Sequence, residues 1–77
     1  MASVVEFVQD WFAEVEGEPG RMRQVAFRRG IRVRAEVHLV NGGHELVEEA
    51  DLVLADGTTA RHVPLSRFAI VPPARAA

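Results

Sequence analysis

Apolar and polar positions alternate most cleanly between residues 31 and 40. Ile31, Val33, Ala35, Val37 and Leu39 fall on one side, and Arg32, Arg34, Glu36 and His38 on the other. A period of two is that of a strand with one buried face. Residues 4–16 follow a different rhythm. At about 100° per residue, Phe7, Trp11, Val4, Val15, Val8, Phe12 and Val5 gather within an arc of roughly 160°. Glu6, Gln9, Asp10, Ala13, Glu14 and Glu16 fill the other side. Ser3 and Glu6 have the spacing of a capping box, Gly17 a helix stop, and Glu18-Pro19-Gly20 a turn. The pattern predicts an amphipathic helix over residues 4–16, its aromatic stripe facing the core.

From residue 21 the chain reads as β. Val25 and Phe27 alternate with polar neighbours, which predicts a short strand from Gln24 to Arg28, and Gly30 marks a turn or bulge. Asn41-Gly42 favours a two-residue hairpin after the 31–40 strand. That register sets Val37 beside Leu46, Arg34 beside Glu49 and Arg32 beside Asp51, and it turns Glu48 inward opposite Ala35, which calls for a bulge. For residues 44–54 strand is the preferred reading, although Leu46, Val47, Ala50, Val53 and Leu54 also match helical spacing. Ala55-Asp56-Gly57-Thr58 suits a three-residue loop that pairs Leu52 with Ala60 and Asp51 with Arg61. Pro64 ends the next strand, residues 64–67 suit one 3₁₀ turn, and Phe68 to Val71 form a last strand stopped by Pro72-Pro73. The fold class expected is α+β: the helix packed on a bent antiparallel meander of four or five strands. It occupies residues 1–73 as a single domain, with sheet from about 24 to 71 and residues 74–77 as a disordered tail.

Composition narrows the function classes. The chain has 77 residues and no cysteine, so disulfides and thiolate chemistry are excluded. No apolar run approaches the roughly 20 residues that span a bilayer. The cytoplasm is the expected compartment, since small secreted domains usually carry disulfide staples. A net charge of −2 conceals segregation. Residues 1–20 hold five acids and no base, residues 21–35 six arginines and no acid, and residues 36–56 six acids and no base. The arginines Arg21, Arg23, Arg28, Arg29, Arg32 and Arg34 are the candidate patch for an anionic partner. The other reading is that the blocks neutralise one another on the folded surface.

Strand, Asp-Gly turn, strand, Pro-Leu-Ser-Arg turn and final strand, carried by Asp51 to Val71, resemble the end of an SH3-like or tudor-like small β-barrel. That resemblance implies a binding module before an enzyme. A second resemblance is to the Sm-like RNA chaperones of the Hfq type. It rests on the N-terminal helix, on Leu39-Val40-Asn41-Gly42 and on Arg61-His62. It implies Asn41 and His62 as RNA contacts.

The chemistry-bearing side chains point the same way. His38, His44 and His62 match no metal-ligand spacing, and nothing in the sequence marks Ser66 as a nucleophile. Glu48-Glu49 suit solvent and ladder positions better than acid–base work. No catalysis, metal or cofactor is expected. The function expected is a protein-interaction module, with nucleic-acid binding as the alternative. Self-association as a homodimer is expected through the helix, with Val5, Phe7, Trp11 and Phe12 as the candidate interface.

Overall fold

The structure, a computed structural model, describes residues 2–40 and 48–73. Within them seven antiparallel strands form one sheet, and the only helical element is a 3₁₀ turn at Leu65–Arg67. The strands are β1 (Ser3–Phe7), β2 (Trp11–Glu16), β3 (Met22–Phe27), β4 (Arg32–Val40), β5 (Glu49–Leu54), β6 (Thr59–Pro64) and β7 (Phe68–Val71). Their order across the sheet is β3-β2-β6-β5-β4-β1-β7.

The expected helix over residues 4–16 is absent, and the α+β class is corrected to all-β. The segment is two strands joined by Val8-Gln9-Asp10. Seven of its thirteen residues are Val, Phe or Trp. These lose side-chain freedom in a helix and fit a pleated surface well. Each half also alternates by two. Val5 and Phe7 are buried on β1, Ala13 and Val15 on β2, while Phe12 and Glu14 face out. The helical arc mixed the inner and outer faces of two strands.

The break between the strands is anchored on three sides. Val8 N donates to Arg67 O at 2.9 Å, Gly30 N to Phe7 O at 2.7 Å, and Arg29 N to Asp10 Oδ1 at 2.7 Å. Beyond β2 the Glu18-Pro19-Gly20 turn forms as expected. Arg21 N bonds Glu18 O at 2.9 Å, and Gly20 sits at φ 79°, the left-handed position of a type II turn.

The core is thin and wholly apolar among the described residues. Val5, Phe7, Ala13, Val15, Phe27, Ala35, Ala50, Leu52, Ala60, Val63 and Phe68 are buried. Phe7 stacks on Phe27 with ring centroids 4.6 Å apart, and Phe68 lies 6.4 Å from Phe7. Since β1 and β3 stand nearly at opposite ends of the sheet order, this contact requires the sheet to coil onto itself.

The second half follows expectation more closely. Leu54 N bonds Thr58 O at 2.7 Å, Gly57 has φ 89°, and Leu52 pairs with Ala60. Asp51 faces Arg61 and His62 together, because the register shifts between Ala50 and Leu52. The β4–β5 register is corrected by six residues, with Val37 opposite Leu52 and Ala35 opposite Leu54. Six is even, so each residue keeps its face. The shift replaces a carboxylate opposite buried Ala35 with Leu54, and Glu48 is exposed. Burying an unpaired charge is the more expensive arrangement. The row Arg32–Asp51–Arg61 is therefore broken: Arg32 pairs with Glu6 of β1, and only Asp51–Arg61 forms. Asn41-Gly42, His44 and the 74–77 tail lie outside the described residues.

Phe7→Ala is expected to cost about 3–5 kcal/mol, enough to unfold much of the population of so small a chain. Phe12→Ala should stay within about 0.5 kcal/mol of the parent. Urea denaturation measures both, and equal losses would contradict the placement of the two rings.

Candidate interaction surface

The side of the sheet facing away from the core carries its electrostatics at the junction of β2, β6 and β5. Pairing of β2 with β6 sets Glu14 opposite Arg61 and Glu16 opposite Thr59. The Arg61 guanidinium then bridges two carboxylates. Nη1 donates to Asp51 Oδ2 at 2.8 Å and Nη2 to Glu16 Oε1 at 2.6 Å. The other Asp51 oxygen accepts from His62 N at 3.0 Å. His62 is the one non-glycine described residue at positive φ, 54°, so Asp51 holds a bulge that turns the imidazole outward.

This network shifts its own protonation. The bond to Arg61 comes first in drawing the Glu16 carboxyl below its ordinary 4.5. Burial pushes Asp51 up, but the His62 N–H and Arg61 outweigh it and leave the carboxyl below 3.8. Its hydrogen bonds to the Glu16 carboxylate and then to Asp51 raise Arg61 further above its usual range.

Beside the network opens a cleft of about 250 Å³ lined by Trp11, Phe12, Glu14, Gln24, Arg61 and His62. Phe12 is 62% exposed. It is opposite Ala26 on β3, whose methyl group leaves the ring uncovered. Trp11 is half-buried and packs on the core edge. The Arg67 guanidinium lies 5.2 Å over its ring and also donates to Gln9 Oε1, so that arginine is already engaged. The Trp11 indole N–H is buried without a hydrogen-bond partner among the described residues.

Of the four residues expected at an interface, the structure keeps Trp11 and Phe12 together at this cleft. It sends Val5 and Phe7 into the core, fully buried. With the helix gone, the surface imagined for a helix-mediated homodimer does not exist.

The six arginines of residues 21–35 are distributed over three places in the strand order. Arg21 and Arg23 flank the β2–β3 turn, Arg28 and Arg29 sit past the far end of β3, and Arg32 and Arg34 lie on β4. Three of them face carboxylates: Arg32–Glu6 at 2.8 Å, Arg28–Asp10 at 3.6 Å and Arg21–Glu18 at 3.7 Å. Arg32 and Arg34 also line an open cleft of about 580 Å³ beside Val4, Ile70 and Val71. Among the described residues no three His, Asp or Glu side chains cluster as a metal site.

Sequence reasoning missed the Glu16–Arg61 bridge, which spans 45 residues. Its only trace was a carboxylate ending an apolar-polar alternation at Trp11–Glu16. Once those residues are read as a strand, Glu16 becomes a ladder group.

The three lowered or bridged groups give an acid signature. Because the folded carboxyls of Glu16 and Asp51 titrate below their ordinary values, the unfolded chain binds more protons near pH 4. Their contribution is full above the ordinary carboxylate range and is lost as the pH falls through the lowered folded values. Arg61→Ala should lower stability at neutral pH and flatten that acid limb, read from urea midpoints across the range. An acid limb unchanged in Arg61→Ala contradicts the bridge.

No protein-family model matches the chain, and no curated protein and no solved structure matches it.

Proposed function

We propose that this chain is a non-catalytic binding module that engages a protein partner through the outer face of its β2–β3 hairpin. The observation that carries this is Phe12, a large aromatic ring held near the start of β2 on the solvent face, 62% exposed beside a cleft lined by polar groups that include the bridged Arg61. The core makes no use of it, and an apolar anchor within a polar frame is the anatomy of a recognition site.

The fold reading behind this is an SH3-like small barrel. In support, β1 lies between β4 and β7, so the first and last strands pair, and the 3₁₀ turn leads directly into β7. β4, β5 and β6 form a meander, and the β2–β3 hairpin, which comes between β1 and β4 along the chain, pairs with β6. Barrels of that kind are mostly binding modules. The nucleic-acid alternative draws less support. Its arginines are divided over three places, half of them beside carboxylates, and the exposed aromatic stands alone and not in a stacking series. His62 projects from its bulge beside the cleft and fits either class.

Selection from a random-peptide display library against the immobilised domain tests the reading. The chain has one tryptophan, so Trp11 emission reports occupancy of the cleft. Enriched peptides should change that emission, and Phe12→Ser should weaken them at least about tenfold without shifting the unfolding midpoint. Enrichment from a random single-stranded RNA pool, with none from the peptides, would overturn the reading.

A further inference from the structure

The sheet order ends at β3 on one side and β7 on the other. β7 has four residues and is followed by Pro72-Pro73. β3 has six, contains no proline, carries Arg23 and is flanked by Arg21, Arg28 and Arg29, with no acid from Gly20 to Ile31. An open edge offers a row of backbone donors and acceptors to any extended chain, and folded proteins generally blunt it. Here the guard is charge of a single sign.

That guard is selective. An antiparallel pair of two β3 strands centred between Gln24 and Val25 sets Arg21 against Arg28. Centred on Val25 it sets Arg21 against Arg29, and centred on Ala26 it sets Arg23 against Arg29. Like charges placed opposite one another destabilise a ladder, so a second copy of this chain is repelled in each register. A segment carrying carboxylates meets the opposite field.

We propose that the β3 edge accepts an extended acidic segment of a protein partner as an eighth strand. This rests on the binding-module reading and names the chemistry of the partner. Arg23 forms no salt bridge among the described residues, and its charge helps to lower the Asp56 carboxyl. Arg21 and Arg28 hold only loose, exposed pairs, at 3.7 and 3.6 Å, which an incoming carboxylate can replace. Ala26 adds the apolar component. It separates the edge from Phe12 by a single methyl group, so a valine-sized side chain of the added strand that lies over Ala26 also meets the Phe12 ring. Main-chain bonds then give affinity, the arginines select for acid, and Phe12 fixes the register.

The test is titration of the ¹⁵N-labelled domain with a capped peptide of alternating glutamate and valine, and with its lysine–valine counterpart. The acidic peptide should shift the amides of Met22–Phe27 and slow their hydrogen exchange. High salt should weaken it. Arg23→Glu, at an exposed site, should melt like the parent and lose at least about tenfold in affinity. Equal binding of the lysine peptide, protection at β7 and not at β3, or shifts without slowed exchange each overturn the inference. So does a single-stranded oligonucleotide that gives the same shifts at lower concentration. Display-selected peptides that depend on Phe12 yet leave β3 exchange unchanged would remove the edge inference and leave the binding module standing.

Discussion

The structure depends on the Phe7 ring. It stacks on Phe27 of β3 and leans on Phe68 of β7, so one side chain ties the two ends of the strand order to β1. Its backbone bonds the β3–β4 turn in both directions, through Ile31 O and Gly30 N. Without that contact the sheet would be an open, gently twisted ribbon with one apolar face exposed. With it, the inner face closes over Leu52, Val63, Val15 and four alanines. A chain this short buries only about 60% of its unfolded surface, so a single aromatic cluster carries an unusual share of the core.

Closure also decides what is left outside. Once Phe7 and Phe27 face inward, the pleat forces Phe12 and Ala26 outward on the same hairpin. The Glu16–Arg61–Asp51 bridge then ties that hairpin to β6 and β5 from the solvent side. The β2–β3 hairpin is thus held from within by the aromatic stack and from without by a charged clamp, while its far edge stays unpaired. A rigid platform with an exposed ring and an open, arginine-flanked edge is suited to docking, and it gives both functional proposals a common physical basis.

How much of this was legible in the sequence depended on the range of the interactions. The Asp56-Gly57 turn, the Leu52–Ala60 pairing, the Asp51–Arg61 contact and the 3₁₀ turn are local, and residue chemistry alone placed them. The face of each β4 residue was also readable, because alternation fixes parity; the β4–β5 register was not, because parity survives a shift of six. Glu48 opposite Ala35 was the visible sign that the short hairpin was wrong. The N-terminal error was of a different kind. A three-residue link between two short strands brought seven apolar residues into one helical arc by coincidence, and the valine and aromatic content that argues against a helix was outweighed. Of the candidate site, Trp11 and Phe12 were named for an incorrect reason. The free β3 edge was invisible, since nothing local says which strand is last in a sheet.

The central claim is that residues 3–16 are two strands wrapped around Phe7. Backbone ¹³Cα shifts and aromatic NOEs from the labelled domain address it most directly. The account predicts extended-type shifts over 3–7 and again over 11–16, with ring contacts between Phe7 and Phe27. Helical shifts running unbroken through residues 4–16, with no Phe7–Phe27 contact, would contradict it.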